Sequence, residues 1–439
     1  MMLVEKFHQM ESENNLFNLG EEINISIWDI VRYNVYRKLL YTEINSAKLE
    51  TRHKPGLVSY IIIFKEIIKY LFMLLFANKS IIVFTNSRFK NSEGKYFDKS
   101  ASHIIKTLKV KYFVIETMLG KKTTYAHHYD LSFIVKRLFK TKPLNSSYFD
   151  VINNAIINNF GFNPLSKKDF DNLIGNYKAQ YHFYKFLFKI INPTKLIIAT
   201  GNPKASVKVA NERGIKSYLL QHATIEKHEI DYSYPSEIKC SDNILFPTTL
   251  LTFGEYWGKN MNIPTYEIIT IGNDNLVGIP HHVIDNSILF VSTIIHGEEL
   301  SKFALKVSHK WPDKKIVFKL HPNEYKNRQA YNELFKQYSN INVISDEIST
   351  NILIAKSQSV VLIVSSVLYE ALQQKKVVTV FKRINYEILT SLQVADNLYF
   401  FDNIDEFEKI DSKKSITVDY CFYEKSNYSL IDEIFNTNT

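Results

Sequence analysis

Glycine and cysteine are scarce in this sequence, and each scarcity excludes a class of fold or site. The chain has 439 residues but 13 glycines, and it contains neither a P-loop nor a GxGxxG pattern. This argues against a fold that holds phosphate in glycine-rich loops. The two cysteines, Cys240 and Cys421, exclude a disulfide scaffold and a cysteine-rich metal site, and they fit a reducing compartment.

An apolar run without charges is also missing where a membrane span would need one. Residues 1–20 are polar, so we expect no signal peptide and a cytoplasmic protein. The best candidate for a span, Leu57–Ala77, carries Lys65, Glu66 and Lys69 at its centre, where charge is costly in a bilayer. We expect a helix packed in a core. Peripheral attachment of its apolar face to the inner surface of the plasma membrane is the alternative.

Negative charge is in the minority, because 54 lysines and arginines against 45 aspartates and glutamates give a net charge of +9. A basic surface favours anionic partners, which include nucleic acid, phosphorylated sugars and anionic lipid. The basic residues are dispersed, although they are denser at 121–122 and 136–142. A solvated basic face explains this composition without any ligand.

Short apolar segments alternate with helical segments after residues 1–78, which lack strand signals and have a helical pattern. Such alternation is typical of an α/β protein with parallel, doubly wound sheets. The first series of predicted strands is Ser80–Thr85, Lys111–Glu116, Lys195–Thr200, Lys216–His222, Thr249–Phe253 and Tyr266–Ile271. The second series is Ser287–Thr293, Lys315–Leu320, Ile341–Ser345, Val360–Val364, Val377–Phe381 and Asn397–Phe401.

The length of the chain exceeds what one hydrophobic core usually supports, and residues 272–285 have the Gly, Asn, Asp and Pro content of a linker. We therefore expect two Rossmann-type doubly wound domains that face each other across a cleft, which is the expected ligand site. The predicted parts are a helical N-terminal extension at 1–78, one Rossmann-like domain at 79–275, another at 286–415 and a helical tail at 416–439.

Polar residues follow two buried strands of the second domain. Lys315–Leu320 is followed by His321-Pro322, and Val360–Val364 is followed by Ser365-Ser366. Ligands of an open parallel sheet bind just beyond the carboxyl ends of its strands. A histidine there donates to a phosphate oxygen, and a serine before a helix accompanies N–H groups that attract an anion. A turn histidine and an ordinary helix cap are the structural alternatives.

Two more positions of the second domain are candidates for the same ligand. Ser292-Thr293 ends its first strand, where a doubly wound domain approaches its ligand most closely, and Gly297 would allow close backbone approach. Glu370 lies one helical turn beyond Ser366. It is expected to bind a ribose hydroxyl or, alternatively, to complement the helix dipole.

Candidates for proton transfer lie in the first domain. His222 ends the strand Lys216–His222, and Glu226 follows in a loop that also carries His228, Glu229 and Asp231. His222 or Glu226 is expected to be the general base toward an acceptor hydroxyl, and a plain polar loop is the alternative. Their spacing matches no metal motif, so no metal is expected. Gly254-Glu255 is assigned to an acceptor-contacting or interdomain position and Trp257 to the core.

With these residues in place, the chain resembles the GT-B glycosyltransferases of bacterial capsule and O-antigen synthesis. It looks like the group of bacterial sialyltransferases, capsule Kdo transferases and CDP-glycerol glycerophosphotransferases. The resemblance rests on His321-Pro322 and Ser365-Ser366, which in that group contact the phosphates of the donor. Gln221-His222 resembles a QHG element with alanine in place of glycine, and Ile27-Trp28 with Arg32 resembles an element that opens some capsule-gene transferases. The first-domain acidic element of the sialyltransferases is missing, so no sialic acid donor is expected.

The resemblance implies a metal-independent glycosyltransferase that moves a sugar from a nucleotide-activated donor to a growing bacterial surface glycan. The second domain would hold the nucleotide, and the first would hold a glycan or lipid-linked glycan acceptor. No cofactor and no nucleic acid partner are implied, and CMP, CDP and UDP donors remain open. The alternatives are a UDP-sugar 2-epimerase-like enzyme, a polyol-phosphate transferase with a CDP-linked donor, and a non-catalytic basic scaffold that binds nucleic acid or membrane.

Overall fold

The structure is a computed structural model that describes most of the chain. The described residues are 3–43, 68, 78–87, 89–91, 93–116, 123–125, 128–130, 144–201, 203–241, 243–259, 261–277, 284, 286–383, 389, 392, 396–411 and 420–437. The segment Leu57–Ala77, apart from Ile68, and the denser basic stretches at 121–122 and 136–142 lie outside the described residues.

The chain forms two compact units. The first comprises Met1–Phe253, Trp257–Gly272 and Ser426–Thr439, and the second comprises Gly254–Tyr256 and Asn273–Lys425. Each unit is built around its own parallel sheet.

The strands of the first unit are β1 (Ile81–Thr85), β2 (Phe89–Lys90), β3 (Tyr96–Phe97), β4 (Tyr112–Glu116), β5 (His128–Asp130), β6 (Lys195–Ile198), β7 (Lys216–Leu220), β8 (Thr249–Thr252) and β9 (Glu267–Thr270). Seven of them form a parallel sheet in the order β5-β4-β1-β6-β7-β8-β9, and β2 pairs with β3 in a separate hairpin. The central strands β1 and β6 are buried at every residue. Their apolar runs, Ile81–Phe84 and Leu196–Ile198, are typical of strands covered by helices on both faces.

The helices described before β9 are α1 (Leu3–Glu13), α2 (Ile27–Glu43), α3 (Ser102–Thr107), α4 (Ser146–Phe160), α5 (Lys167–Ile191) and α6 (Lys204–Glu212). The long helix α5 has a capped start, because the Ser166 hydroxyl accepts the Asp169 N–H at 3.1 Å. It ends at Asn192, which adopts the left-handed conformation with φ 46° and stops the helix.

A buried ionic network fastens α1 and α2 to the first unit. The Arg32 guanidinium donates to both Glu11 carboxylate oxygens, at 2.8 and 3.1 Å. It also donates to the carbonyl oxygens of Ile230 and Ser233, at 2.7 and 3.0 Å. Trp28 Nε1 donates to the same Glu11 carboxylate at 2.7 Å. Because a buried charge is tolerated only when it is paired and hydrogen-bonded, these contacts hold the two helices against the 230–233 loop.

The strands of the second unit are β10 (Ser287–Val291), β11 (Lys315–Lys319), β12 (Ile341–Ile344), β13 (Ser359–Leu362), β14 (Val377–Phe381) and β15 (Leu398–Phe401). They form a six-stranded parallel sheet in the order β12-β11-β10-β13-β14-β15. This is the strand order of the Rossmann fold, and the order reverses between β10 and β13.

The helices described in the second unit are α7 (Gly297–Lys310), α8 (Arg328–Phe335), α9 (Thr350–Lys356), α10 (Val367–Gln373) and α11 (Ile404–Asp411), with a 3₁₀ turn at Pro322–Asn327 before α8. Aromatic side chains dominate the core between the sheet and α7. Phe303 of α7 packs against Phe381, Phe401 and Phe407, with ring centroids 4.8 to 5.4 Å apart.

The last helix, α12 (Tyr428–Asn436), packs on the first unit. Phe435 is buried, and its ring lies 5.1 Å from that of Tyr218 in β7. The Asn436 side chain accepts the Lys109 N–H at 2.8 Å and donates to the Thr107 carbonyl at 3.0 Å. The chain therefore begins and ends in the same unit.

The predicted fold class is confirmed: the chain is α/β, with two Rossmann-type parallel sheets and a helical N-terminal part. Every predicted strand is present, with ends that differ by at most two residues. The β2-β3 hairpin and β5 were not predicted, and α6 lies in a segment for which the sequence predicted only that it is long enough for a helix. β5 has three residues, His-Tyr-Asp, and so lacks the apolar run by which the other strands are recognised. In α6, lysines interrupt the apolar pattern, although Lys208 is buried and reaches the Asn24 side chain at 2.8 Å.

Candidate functional site

Three neighbouring strands of the second sheet end in the predicted donor residues. His321 follows β11, Ser292 follows β10, and Ser365 follows β13 within three residues. β10 is paired with both β11 and β13, so the three residues lie at one edge of the sheet. The strand order reverses between β10 and β13, and ligands of Rossmann-type sheets bind at such a reversal.

His321 uses one ring nitrogen to shape its own turn. It is the N-cap of the 3₁₀ turn, and its Nδ1 accepts the Asn323 N–H at 3.2 Å. Because Nδ1 accepts, the proton of the neutral ring is on Nε2. Partial burial lowers the pKa of His321 despite the nearby Glu324, so the ring is neutral at pH 7. No residue that the structure describes accepts from Nε2, which leaves this N–H for a ligand.

Glu324 completes a capping box with His321. One carboxylate oxygen of Glu324 accepts the His321 N–H at 3.1 Å, and the other accepts the Tyr331 hydroxyl at 2.6 Å. The Glu324 side chain is buried. Burial and the bond to this carboxylate both raise the pKa of Tyr331. The phenol therefore stays protonated and donates a hydrogen bond to Glu324.

Gly297, the first residue of α7, packs directly on this group. A Cβ atom at Gly297 would lie 2.2 Å from Glu324 Oε1, 2.6 Å from the Tyr331 hydroxyl and 2.8 Å from Ser292 Oγ. The sequence predicts that Gly297 makes room for a ligand. In the structure the missing side chain instead makes room for Glu324 and Tyr331, and this lets α7 start against the turn that holds His321.

The loop after β10 offers its backbone rather than the Ser292 side chain. The Ser292 hydroxyl is buried beneath Gly297, next to the Tyr331 hydroxyl, and has no hydrogen-bond partner of good geometry among the described residues. Thr293 Oγ1 accepts the His296 N–H at 3.2 Å and shapes the turn. Ile294 and Ile295 are exposed. The accessible part of this loop is therefore residues 293–296.

The two serines after β13 have different roles. Ser365 Oγ accepts the Val367 N–H at 3.3 Å and so supports the turn into α10. Ser366 occupies the N-cap position, but its side chain makes no cap hydrogen bond and is exposed to solvent. The expected cap is thus formed by Ser365, and the Ser366 hydroxyl is available to a ligand. Glu370 lies on α10 within the electrostatic reach of Tyr423.

Sequence reasoning missed a basic residue at the same edge. Arg383 follows β14, its guanidinium lies 3.6 Å from the ring centroid of Phe381, and its Nε is 3.7 Å from the Glu299 carboxylate in the first turn of α7. The preceding Lys382 pairs with Asp402 at 2.5 Å. The signal was the same as for His321 and Ser365, because the buried run Val377–Phe381 ends in Lys382-Arg383.

The first-unit candidates surround the end of β7. Gln221 is buried, accepts the Phe253 N–H at 2.8 Å and donates to the Ala223 carbonyl at 3.1 Å. This fixes the turn that exposes His222, whose Nδ1 lies 3.3 Å from the Tyr232 hydroxyl. Glu226 is buried. The structure thus places His222 and Glu226 in the first unit and the predicted donor residues in the second.

Three ionisable residues after Glu226 have shifted pKa values. Burial lowers the pKa of His228 to about 4. Burial, together with Asp231 and Glu226, raises the pKa of Glu229 to about 7, and burial also raises the pKa of Asp231. A carboxyl group with a pKa near neutrality suits proton transfer, so Glu229 joins His222 and Glu226 as a candidate base.

Gly254 and Glu255 belong to the second unit, and their structural partners lie in that unit too. A Cβ atom at Gly254 would lie 2.3 Å from the Cys421 carbonyl oxygen, so only glycine fits against this backbone. The Glu255 N–H donates to the Glu424 carboxylate at 2.9 Å. Trp257 is buried in the first unit, as predicted.

No cluster of His, Cys, Asp and Glu side chains suited to a metal ion occurs in the described part of the chain. Within the same residues, no helix combines the length and the apolar composition that crossing a membrane requires.

Part of the second unit matches a known family. Residues 297–400 match the family model of the capsule polysaccharide biosynthesis protein. The matched stretch runs from the first residue of α7 into β15 and contains His321-Pro322 and Ser365-Ser366. No curated protein sequence matches the chain.

Solved structures with a similar backbone include enzymes of more than one kind. The chain is similar to UDP-GlcNAc 2-epimerase from Methanocaldococcus jannaschii, with 13% identity, 82% of this chain and 100% of that chain covered, and a TM-score of 0.49. It is similar to UDP-GlcNAc 2-epimerase from Neisseria meningitidis bound to UDP-GlcNAc, with 14% identity, coverage of 82% and 100%, and a TM-score of 0.48. It is also similar to the glycotransferase of kitacinnamycin, with 10% identity, coverage of 76% and 91%, and a TM-score of 0.46. These similarities favour no single reaction.

Proposed function

We propose that this protein is a glycosyltransferase of bacterial surface-glycan synthesis that binds a nucleotide-activated sugar on its second unit. The observation that carries the proposal is the meeting of Thr293, His321 and Ser366 at the carboxyl ends of three adjacent strands, where the strand order reverses. The match of residues 297–400 to the capsule polysaccharide biosynthesis family supports the biological setting.

The residues at this edge suit the stabilisation of a leaving phosphate. The Nε2–H of His321, the Ser366 hydroxyl and the N–H groups that begin α7 are hydrogen-bond donors, and Arg383 supplies a positive charge beside α7. Preorganised donors of this kind stabilise charge that develops in the transition state, and they do so without a metal. Glu370 of α10 is proposed to bind the ribose.

The acceptor hydroxyl is proposed to lose its proton to a residue of the first unit. His222 is the leading candidate because it is exposed at the end of β7, with Tyr232 holding its Nδ1 side. Glu226 is the alternative, and Glu229, with a pKa raised to about 7 by burial, is a further one. Loss of a general base depresses turnover by roughly 10²–10⁴-fold and leaves nucleotide affinity nearly unchanged. Alanine variants at the three positions, assayed for transfer and for binding, identify the base.

Two serine variants test the donor site. Ser366→Ala removes a hydroxyl that makes no cap bond, whereas Ser365→Ala removes one that supports the turn. We expect Ser366→Ala to weaken binding of the best nucleotide among CMP, CDP, UDP and GDP by about 1–3 kcal/mol without changing stability. Ser365→Ala should lower both the nucleotide affinity and the stability of the protein. Thermal shift and calorimetry measure the two effects, and unchanged affinity in folded Ser366→Ala would remove this residue from the site.

The reaction type is tested with the donor alone. A transferase should consume the nucleotide-activated sugar rapidly only when a glycan acceptor is present. Conversion of UDP-GlcNAc in the absence of any acceptor would instead identify a 2-epimerase. Release of CMP from a CDP-linked polyol in the presence of acceptor would identify a polyol-phosphate transferase.

A further inference from the structure

We propose that Tyr331 is a positioning residue which, through the buried Glu324 carboxylate, holds His321 and the start of α7 in a single arrangement. The proposal rests on the donor site proposed above, because His321 and the α7 N–H groups are two of its parts. Tyr331 acts through Glu324 and not by contact with the nucleotide. It lies on α8, ten positions beyond His321 in the sequence.

The first step is that Glu324 depends on Tyr331. The carboxylate is buried and has two hydrogen bonds, one from the His321 N–H and one from the Tyr331 hydroxyl. Removal of one donor leaves a buried carboxylate oxygen unsatisfied, and the cost of that state drives rearrangement. The carboxylate then turns toward water, and the His321 N–H loses its acceptor.

The second step is that His321 depends on Glu324. The capping box ties the His321 backbone to Glu324 and the His321 ring to the Asn323 N–H. Both bonds close the same turn, so loss of one loosens the other. The ring nitrogen Nε2 then no longer points in a single direction, and the Nε2–H tautomer is no longer enforced.

The third step is that the same group sets the start of α7. Gly297 lies so close to Glu324 and Tyr331 that even a methyl group would collide with both. Any movement of Glu324 therefore changes the packing surface on which α7 begins. The hydroxyl of Tyr331 thus couples two anion-binding elements, the His321 turn and the α7 terminus.

The ring and the hydroxyl of Tyr331 have separate roles, and this makes a clean test possible. The ring packs on Phe318 and Phe335, with centroid distances of 5.4 and 6.5 Å. Tyr331→Phe keeps this packing and removes only the hydroxyl, which donates to Glu324 and lies next to the Ser292 hydroxyl. Tyr325→Phe is the matched control, because Tyr325 lies in the 3₁₀ turn that follows His321. Its ring contacts the Lys319 ammonium, and its hydroxyl makes no hydrogen bond to Glu324.

The experiment is a double-mutant cycle on nucleotide binding in the full chain. The ligand is whichever of CMP, CDP, UDP and GDP the wild-type protein binds best. We expect Tyr331→Phe to raise the dissociation constant about fivefold to tenfold and Tyr325→Phe to change it less than about twofold. In a His321→Ala background, Tyr331→Phe should have a clearly smaller effect than in the wild type, because the His321 ring is gone and only the effect through the start of α7 remains. An equal loss in both backgrounds, or no loss in either, overturns the proposal.

A second readout needs no ligand. In ¹⁵N spectra of histidine-labelled protein, His321 should show a single Nε2–H tautomer in the wild type and in Tyr325→Phe, and a tautomer mixture in Tyr331→Phe. An unchanged His321 signal in Tyr331→Phe overturns the proposal. If no nucleotide binds the wild type, the proposed donor site is wrong, and the tautomer measurement still decides whether Tyr331 positions His321.

Discussion

His321 has two tasks, one on each ring nitrogen. Nδ1 accepts the Asn323 N–H and caps a turn, while Nε2–H is left for a ligand. A histidine in a turn and a histidine that binds phosphate are therefore not exclusive interpretations here, because the cap fixes the tautomer that donation to phosphate requires.

Two substitutions at His321 separate these tasks. Asparagine is a good N-cap, so His321→Asn keeps an acceptor for the Asn323 N–H but loses the Nε2–H. His321→Ala loses both and should cost about 1 kcal/mol of stability for the cap. We expect turnover to fall about tenfold or more in both variants and the melting temperature to fall only in His321→Ala. If His321→Asn transfers sugar at the wild-type rate, the histidine serves only as a cap.

His228 gives a prediction about pH. Burial holds the pKa of His228 at about 4 in the folded protein, against about 6.5 for an unperturbed histidine. The unfolded chain therefore binds more protons between these values, and the free energy of unfolding falls as the pH drops from about 6.5 to about 4. His228→Gln removes this contribution, so its stability should decline less than that of the wild type over the same range.

Urea unfolding at about pH 7.5, 6 and 5 measures the difference between the two proteins. Glu229, whose pKa burial raises to about 7, contributes with the opposite sign. Its carboxylate lies 3.7 Å from His228 Nε2, so the comparison is repeated in a Glu229→Gln background to separate the two contributions. The control is His182→Gln, at an exposed position of α5. Parallel curves for the wild type and His228→Gln would show that His228 titrates normally.

The site residues that the sequence predicts are those whose signal is local. His321-Pro322 and Ser365-Ser366 stand directly after apolar strands, and the position of a strand end is readable from a few residues. The bond between Tyr331 and Glu324, and the pairing of Arg383 with Glu299, depend on how separate elements pack. No local sequence pattern indicates such contacts, so these pairings were not predictable, although the strand-end position of Arg383 was readable from the sequence.

Among the elements, α1 and α2 show how a polar cluster can join helices to a sheet domain. Arg32 and Glu11 are both fully enclosed, and the guanidinium also lies 4.1 Å from the ring centroid of Tyr234. Burial disfavours the charge on Arg32, but Glu11 raises its pKa above the usual value, so the pair stays ionised. Nearby, the buried Asp29 pairs with Lys204 at the start of α6, at 2.7 Å.

Glu11→Ala tests how much this network holds the N-terminal helices. The substitution leaves the Arg32 cation buried without its counter-ion, which typically costs about 3–5 kcal/mol. Glu13→Ala, at an exposed position of the same helix, should change stability by less than about 0.5 kcal/mol. Chemical denaturation compares the two variants. A cost for Glu11→Ala as small as that of Glu13→Ala would mean that the N-terminal helices contribute little to the unit.

The apolar strands were predictable from the sequence, but the more polar elements and the details of the helix caps were not. Every apolar strand was found because buried parallel strands are continuous runs of Ile, Val, Leu and Phe. The polar strand β5 lacks such a run, and α6 buries the side chain of Lys208 among its apolar residues, so neither has the expected pattern. The sequence assigned a helix cap to the Ser365-Ser366 pair. In the structure the N-cap residue, Ser366, makes no cap hydrogen bond, and Ser365 instead accepts the Val367 N–H, since cap geometry depends on backbone angles that sequence does not fix.

At the scale of the whole molecule, both units carry the strand order of the Rossmann fold, and the first adds one strand, β9, beyond it. The alternation of strands and helices predicted this class. The packing of α12 on the first unit was not predictable. It depends on contacts such as that of Phe435 with Tyr218, which are more than two hundred residues apart in the sequence.

The most direct test of the proposed donor site is hydrogen–deuterium exchange of the full chain with and without a saturating nucleotide from the set CMP, CDP, UDP and GDP. Binding to the native state slows exchange where the ligand holds the backbone. We predict protection in peptides that cover 292–297, 321–324 and 365–370, the three strand ends of the second sheet. Binding that protects none of these peptides, or no binding of any of the four nucleotides, would contradict the assignment of the donor site to this edge.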